Sequence, residues 1–163
     1  MKTFYGPKWI LRLHFQMSKN SAQWTKLCSL VCQEPNIDIC DMEKNPKLGN
    51  ATRIFPLNWR FLPAIDSQVD YLFVRDLDSE ITQREAAATQ EFLKLEQKDF
   101  HVLRDHPQHG IHILGGTWGV KLTKPTIRKS MVNAMKRMFK HPKFYAPRDK
   151  AGPDQDMLSR YIW

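Results

Sequence analysis

The sequence predicts a mixed α/β domain in which a mostly parallel sheet is flanked by helices. Three observations carry this: apolar and polar side chains alternate over residues 9–16, a capped helical pattern follows at about 22–33, and the apolar run VDYLFV at 69–74 precedes a second helix start. Strand, helix and strand in that order imply a parallel pair, because parallel neighbours need a crossover between them. The 163 residues, 42% hydrophobic and 11% aromatic, fit one domain with a substantial core.

In chain order, Trp9, Leu11, Leu13 and Phe15 share one face of the first strand. Ser21 is placed to cap a helix through about Gln33, with Trp24, Leu27, Cys28 and Val31 facing inward, and Ile37 to Cys40 reads as a short strand. A loop with Pro46, Gly49 and Pro56 leads to the aromatic segment LNWRFLPAID and then to VDYLFV, which is apolar on both faces apart from Asp70 and so suits a central buried strand. Thr82 and Glu85 form a T-x-x-E capping box, and Ala88, Phe92 and Leu95 give the helix behind it an inward stripe. Phe100 to Arg104 reads as a strand, IHIL at 111–114 as another running into GGTWG, and a helix is expected from near Thr126 with Ile127, Met131, Ala134 and Met138 in its core stripe.

Net charge is +8, and it is unevenly placed. Residues 1–100 carry 13 basic and 13 acidic side chains, whereas 121–150 carries ten basic residues and one acid, Asp149. That segment is either a solvated helix face or a surface for an anionic partner. Nucleic acid is the less favoured partner, since no aromatic-basic motif of a nucleic-acid reader is present. Cys28, Cys32 and Cys40 cannot all pair within one chain, the first two fit small buried positions on a helix, and no fourth ligand completes a zinc site. No apolar stretch is long enough to span a bilayer, and residues 1–15 lack the core of a signal peptide.

The chemistry gathers at VRDLDSEI, residues 74–81. The carboxyl end of a strand in an α/β sheet is where ligand crevices form. In extended chain Asp76 and Asp78 project to one side while Leu77 faces the core, and two converging carboxylates offer the hard oxygen ligands that Mg²⁺ or Mn²⁺ prefers. The plain alternative is an acidic turn in which Asp76 pairs with Arg75 or Arg104. His106, His109 and His112 invite zinc, but Pro107 and Gly110 exclude the regular helix that would gather them.

The segments VDYLFVRDLDSEITQREAAA, FHVLRDHPQHG, ILGGTWGVK and DQDMLSRYIW recur in this order in a group of GT-A-type, nucleotide-diphospho-sugar glycosyltransferase-like proteins, which the chain resembles from PKWILRL to its end. The resemblance implies a GT-A fold, partial at both ends, because such proteins begin with a further strand and nucleotide-binding loop and continue to a histidine that completes the metal site. It implies that Asp76 and Asp78 hold Mn²⁺ or Mg²⁺ against the diphosphate of a nucleotide sugar. A cation there stabilises the leaving nucleoside diphosphate, with Arg75 and Lys121 as further sources of positive charge. Asp154 and Gln155 match the D-Q stretch of retaining transferases, beside the anomeric carbon. Asp105 and His106 fall in the sugar pocket, Arg104 is a further candidate for binding the nucleotide sugar or acceptor, Gly115 and Gly116 admit the backbone close to donor or acceptor, and Trp118 offers a flat face to a sugar ring. The acceptor is a glycan, a protein or a lipid, and the family suggests the secretory pathway.

Two other readings compete. Haloacid-dehalogenase-type phosphatases also set D-x-D after an apolar strand, but the residues that follow here, Glu80 and Ile81, depart from their pattern and no later acidic pair is evident. A non-catalytic relative would act as a binding module through its basic 121–150 segment, with an affinity that falls steeply with salt.

Overall fold

The alternation near the N-terminus forms β1 (Leu11–Phe15), and the computed structural model describes residues 2–104, 110–145 and 152–163. The chain divides into two compact units, Met1–Arg53 and Ile54–Trp163. In the first, a short helix α1 (Lys2–Tyr5) precedes β1, and α2 (Ala22–Gln33) carries the chain across to β2 (Ile37–Asp41). The two strands pair in parallel, Leu11 opposite Ile37 and Phe15 opposite Asp41. Ser21 caps α2 as expected, its hydroxyl accepting from the Trp24 amide at 3.1 Å. Cys32 is exposed rather than buried, and no residue of α2 is fully buried. A two-stranded sheet is too narrow to enclose more of a helix than its central stripe.

The second unit contains α3 (Pro56–Trp59), a 3-10 turn Leu62–Ile65, β3 (Tyr71–Arg75), α4 (Gln83–Lys94), β4 (Phe100–Val102), β5 (Thr117–Lys121), α5 (Pro125–Met138), a 3-10 turn Pro142–Tyr145 and α6 (Pro153–Tyr161). Its sheet runs β3-β5-β4, and both pairings are antiparallel. The chain is therefore mixed α/β, but among the described residues only β1 and β2 are parallel, so the expected mostly parallel sheet is not what pairs here.

Two strand expectations also change. β3 lies at one edge of its sheet, and its burial alternates: Leu72 and Val74 are buried while Tyr71 is 41% exposed. Phe73, on the other face, packs edge-on against Phe92 of α4 and lies over Gly119, where a side chain would meet its ring carbons at 2.7 Å. The apolar run thus serves a core on one face and one helix on the other. The segment IHIL is not a strand; pairing begins two residues past Gly115, at Thr117, which bonds Leu103 through both its backbone carbonyl and its hydroxyl.

The helices follow the sequence more closely. Thr82 caps α4 by accepting from the Glu85 amide at 3.1 Å. Pro125 opens α5, and Met131, Ala134, Met135 and Met138 form its buried stripe against the Leu62–Ile65 turn. Met157 and Leu158 of α6 and Phe144 complete this core. No described helix is long and apolar enough to cross a membrane.

Candidate acidic site

The site starts from an arginine inside an aromatic segment. α3 is anchored by the Phe55 amide and the Asn58 side chain, both donating to the Phe144 carbonyl, and by Trp59 Nε1 donating to Ile54. Trp59 and Phe61 are buried on either side of Arg60, and Phe61 packs on Trp118 with ring centroids 5.9 Å apart. With both neighbours committed to the core, the backbone that carries the Arg60 side chain is held in place.

Asp76 follows the last residue of β3, and Arg75 pairs in register with Thr117, which sets Gly116 beside Asp76. Asp154 is the second residue of α6, after Pro153, where the amides of the helix N-terminus favour a carboxylate. Arg60 joins the two acids: Nη1 donates to Asp76 Oδ1, and Nη2 donates to Asp154 Oδ2 at 2.5 Å. The Asp154 side chain is 3% exposed and that of Asp76 48%, so one end of the bridge is dry and the other wet.

Gly115 and Gly116 close the cluster from the β5 side. A Cβ at Gly115 would collide with Arg60 Nη2 and Asp154 Oδ2, and one at Gly116 with the Asp76 carboxylate. Neither glycine has a positive φ, so close approach alone requires their lack of a side chain.

The structure thus brings together Asp76, Asp154, Gly115 and Gly116, around an Arg60 that motif reasoning missed. Its one signal was a charged residue between two aromatics in LNWRFLPAID. Gln155 is half-buried next to Asp154, while Asp156 turns to another face of α6 and takes a 2.6 Å bond from Lys143, which holds its carboxyl below the usual range.

Other predicted residues are used elsewhere. Arg75 donates to both oxygens of Glu85, at 3.2 and 3.3 Å, and to the Ser79 carbonyl at 2.8 Å, tying the acidic turn to the start of α4. Lys121 sits at the far end of β5, opposite Tyr71; it is buried and donates to the Leu93 and Leu95 carbonyls that end α4. Trp118 is 1% exposed and presents no face to a sugar. Arg104 is exposed, and Asp105, His106 and His109 lie outside the described residues. His112 is exposed and stacks on Trp163 at 5.2 Å.

The acidic turn also departs from extended geometry. Leu77 is 72% exposed rather than facing the core, because the strand ends at Arg75 and the chain turns before the alternation of a strand can act on residues 76–78. Asp78 is exposed, with no ion-pair partner among the described residues. The carboxylates of Asp76 and Asp78 suit Mn²⁺ or Mg²⁺ in kind, but Asp76 is paired with Arg60. Among the described residues no three His, Cys, Asp or Glu side chains converge, and the position between Asp76 and Asp154 is filled by Arg60.

No known protein family, curated protein or solved structure matches the chain.

Proposed function

We propose that the chain carries the sugar-transfer centre of a GT-A-type glycosyltransferase, moving a sugar with retention from a nucleotide-diphosphate donor to a glycan, protein or lipid acceptor. The observation that supports this most is the meeting of Asp76 and Asp154 on one guanidinium. These are the two positions at which the resemblance puts the donor, one at the D-x-D turn and one at the D-Q helix start, and nothing in their local sequence requires them to meet.

In this reading Gln155, half-buried, lies beside the anomeric carbon, and the buried Asp154 next to it holds Arg60 in place. A divalent cation on Asp76 and Asp78 supplies charge neutralisation to the diphosphate. Gly115 and Gly116 leave the room that the Arg60, Asp76 and Asp154 side chains need to meet. The GT-A assignment itself rests on the order of the four motif segments.

The test is calorimetric titration of UDP and GDP with and without Mn²⁺. Binding that needs the metal, and that is lost in Asp76→Asn with Asp78→Asn, is the expected outcome; an absence of metal-dependent nucleotide binding in the wild type would sink the proposal.

A second reading has its own observation. Lys129 and Lys136 of α5 and Lys140 just beyond its end are exposed, with no ion-pair partner among the described residues, and fit a module that binds an anionic partner. Binding of a polyanion that weakens steeply with salt and ignores Mn²⁺ would favour it.

A further inference from the structure

The last turns of α5 and α6 meet, and they bring together side chains that are far apart in the sequence. Arg137 places its guanidinium carbon over the Tyr161 ring, 5.7 Å from its centre, and His141, just past the end of α5, meets the same ring nearly edge-on at 6.1 Å. Shortly after Tyr161, Trp163 stacks on His112 with the two planes 9° apart and the ring centroids at 5.2 Å. Trp163 is 62% exposed, so one face of its indole is covered by the imidazole and the other is open to water.

The charge around these rings is of one sign. Neither 129–145 nor 157–163 contains an acid, whereas Lys136, Arg137, Lys140 and Arg160 are all exposed there. The acid that reaches this side, Asp156, takes a 2.6 Å bond from Lys143 and is drawn as well by Arg160 and His141, which together hold its carboxyl below the usual range. Asp156 thus occupies Lys143 and leaves the other four cations without an acid at ion-pair distance among the described residues.

Exposed cations fit an anionic partner, and the rings narrow its kind. A lipid surface is a poor match, because Met131, Met135 and Met138 of α5 are buried in the core and leave no apolar helix face to enter a bilayer. A duplex keeps its bases stacked on one another and offers the rings little beyond its phosphates. A single strand has both phosphates and base faces to give, and stacking on an aromatic side chain accepts any base.

We propose that the surface formed by the last turns of α5 and α6 binds single-stranded nucleic acid, with Lys136, Arg137, Lys140 and Arg160 along the phosphates and a base stacked on the open face of Trp163. Tyr161, backed by Arg137, gives a second stacking position. No sequence motif marks this surface, because most of its cations come from α5 and its rings from α6 and the residues that follow it. The proposal rests on the reading of the basic segment as a surface for an anionic partner and is independent of the transferase reading.

Fluorescence anisotropy of a labelled oligo-dT of about 12 nucleotides, titrated with the protein, tests it. Affinity is expected to fall with salt on a log–log slope of about −3, the value for four neutralised phosphates on a single strand, and to exceed that for a duplex of the same length by about tenfold. Lys136→Gln with Lys140→Gln should flatten the slope by about 1.4, whereas Trp163→Ala should weaken binding about tenfold at an unchanged slope. Tyr161 is half-buried, so the exposed Trp163 carries the decision; tryptophan fluorescence quenched by unlabelled oligo-dT, and no longer quenched in Trp163→Phe, reports the stacking without removing a packed ring. A duplex bound as tightly as the single strand, anionic vesicles bound in preference, or an unchanged affinity in Trp163→Ala would each overturn the proposal. Heparin or inorganic polyphosphate competing as well as oligo-dT at equal charge would overturn it while keeping an anionic partner for the segment. No binding of any of these probes removes both.

Discussion

Replacing Arg60 by leucine should cost far more stability than removing the charge of Asp76, although both changes break the same bridge. The difference comes from exposure. Arg60→Leu leaves Asp154 ionised in a site where its side chain is 3% exposed, and stranding one member of a buried pair costs about 3–5 kcal/mol. Asp76→Asn removes a partner that is 48% exposed, which costs about 0–1 kcal/mol. Asp154→Asn keeps an acceptor for Nη2 and removes the buried charge, so it should fall between, at about 1–2 kcal/mol. In urea, with a slope of about 2 kcal/mol per molar, the midpoint should drop by roughly 1.5–2.5 M for Arg60→Leu and by less than about 0.5 M for Asp76→Asn. A 5-fluorotryptophan signal from Trp118, buried in the same unit, reports this transition apart from that of Met1–Arg53. Equal losses for Arg60→Leu and Asp76→Asn would mean that Asp154 does not depend on Arg60.

Three further outcomes are expected. Gly116→Ala drives a methyl group into the Asp76 carboxylate and should lower stability by about 1–3 kcal/mol, measured by the same urea midpoint, with Asp76→Gly in the same chain recovering most of the loss. His14 of β1 is held neutral, its pKa lowered to about 4 chiefly by burial and then by the charge of Arg12, against the opposing pull of Asp38. The unfolded chain therefore binds more protons between pH 4 and 6.5, so the His14 contribution is complete above pH 6.5 and is lost as pH falls toward 4, amounting to about 3 kcal/mol; urea midpoints across this range should flatten in His14→Gln. A chromogenic disulfide should label exposed Cys32 first and Cys40 last, because burial raises the Cys40 thiol pKa and leaves less thiolate, and mass mapping of the labelled sites gives the order.

What could be read from the sequence was local. The alternation in WILRLHF, the caps at Ser21 and Thr82 and the methionine stripe of α5 each depend on residues within one or two turns of each other, and each formed. Pairing partners were not legible in the same way. Nothing in VDYLFV distinguishes a central strand from an edge strand whose outer face is covered by Phe92, because both settings accept apolar residues on each face. Nor does IHILGGTWG show where pairing starts, since apolar residues lie on both sides of its glycines. The site divides along the same line. Asp76 and Asp154 carried motifs and were found, whereas Arg60 acts through its placement by Trp59 and Phe61 and has no motif. Arg75 and Lys121 had the right charge near the right motifs, but their donors go to Glu85 and to the carbonyls ending α4.

The proposed function requires the acidic turn and the start of α6 to form one site for a nucleoside diphosphate. Amide chemical shifts followed during addition of UDP or GDP with Mg²⁺ test it most directly. The largest changes are expected together at Asp76 and Asp78, at Gly115 and Gly116, and at Asp154 and Gln155. Changes confined to Lys129 and Lys136 of α5 and to Lys140 just beyond it would contradict that reading.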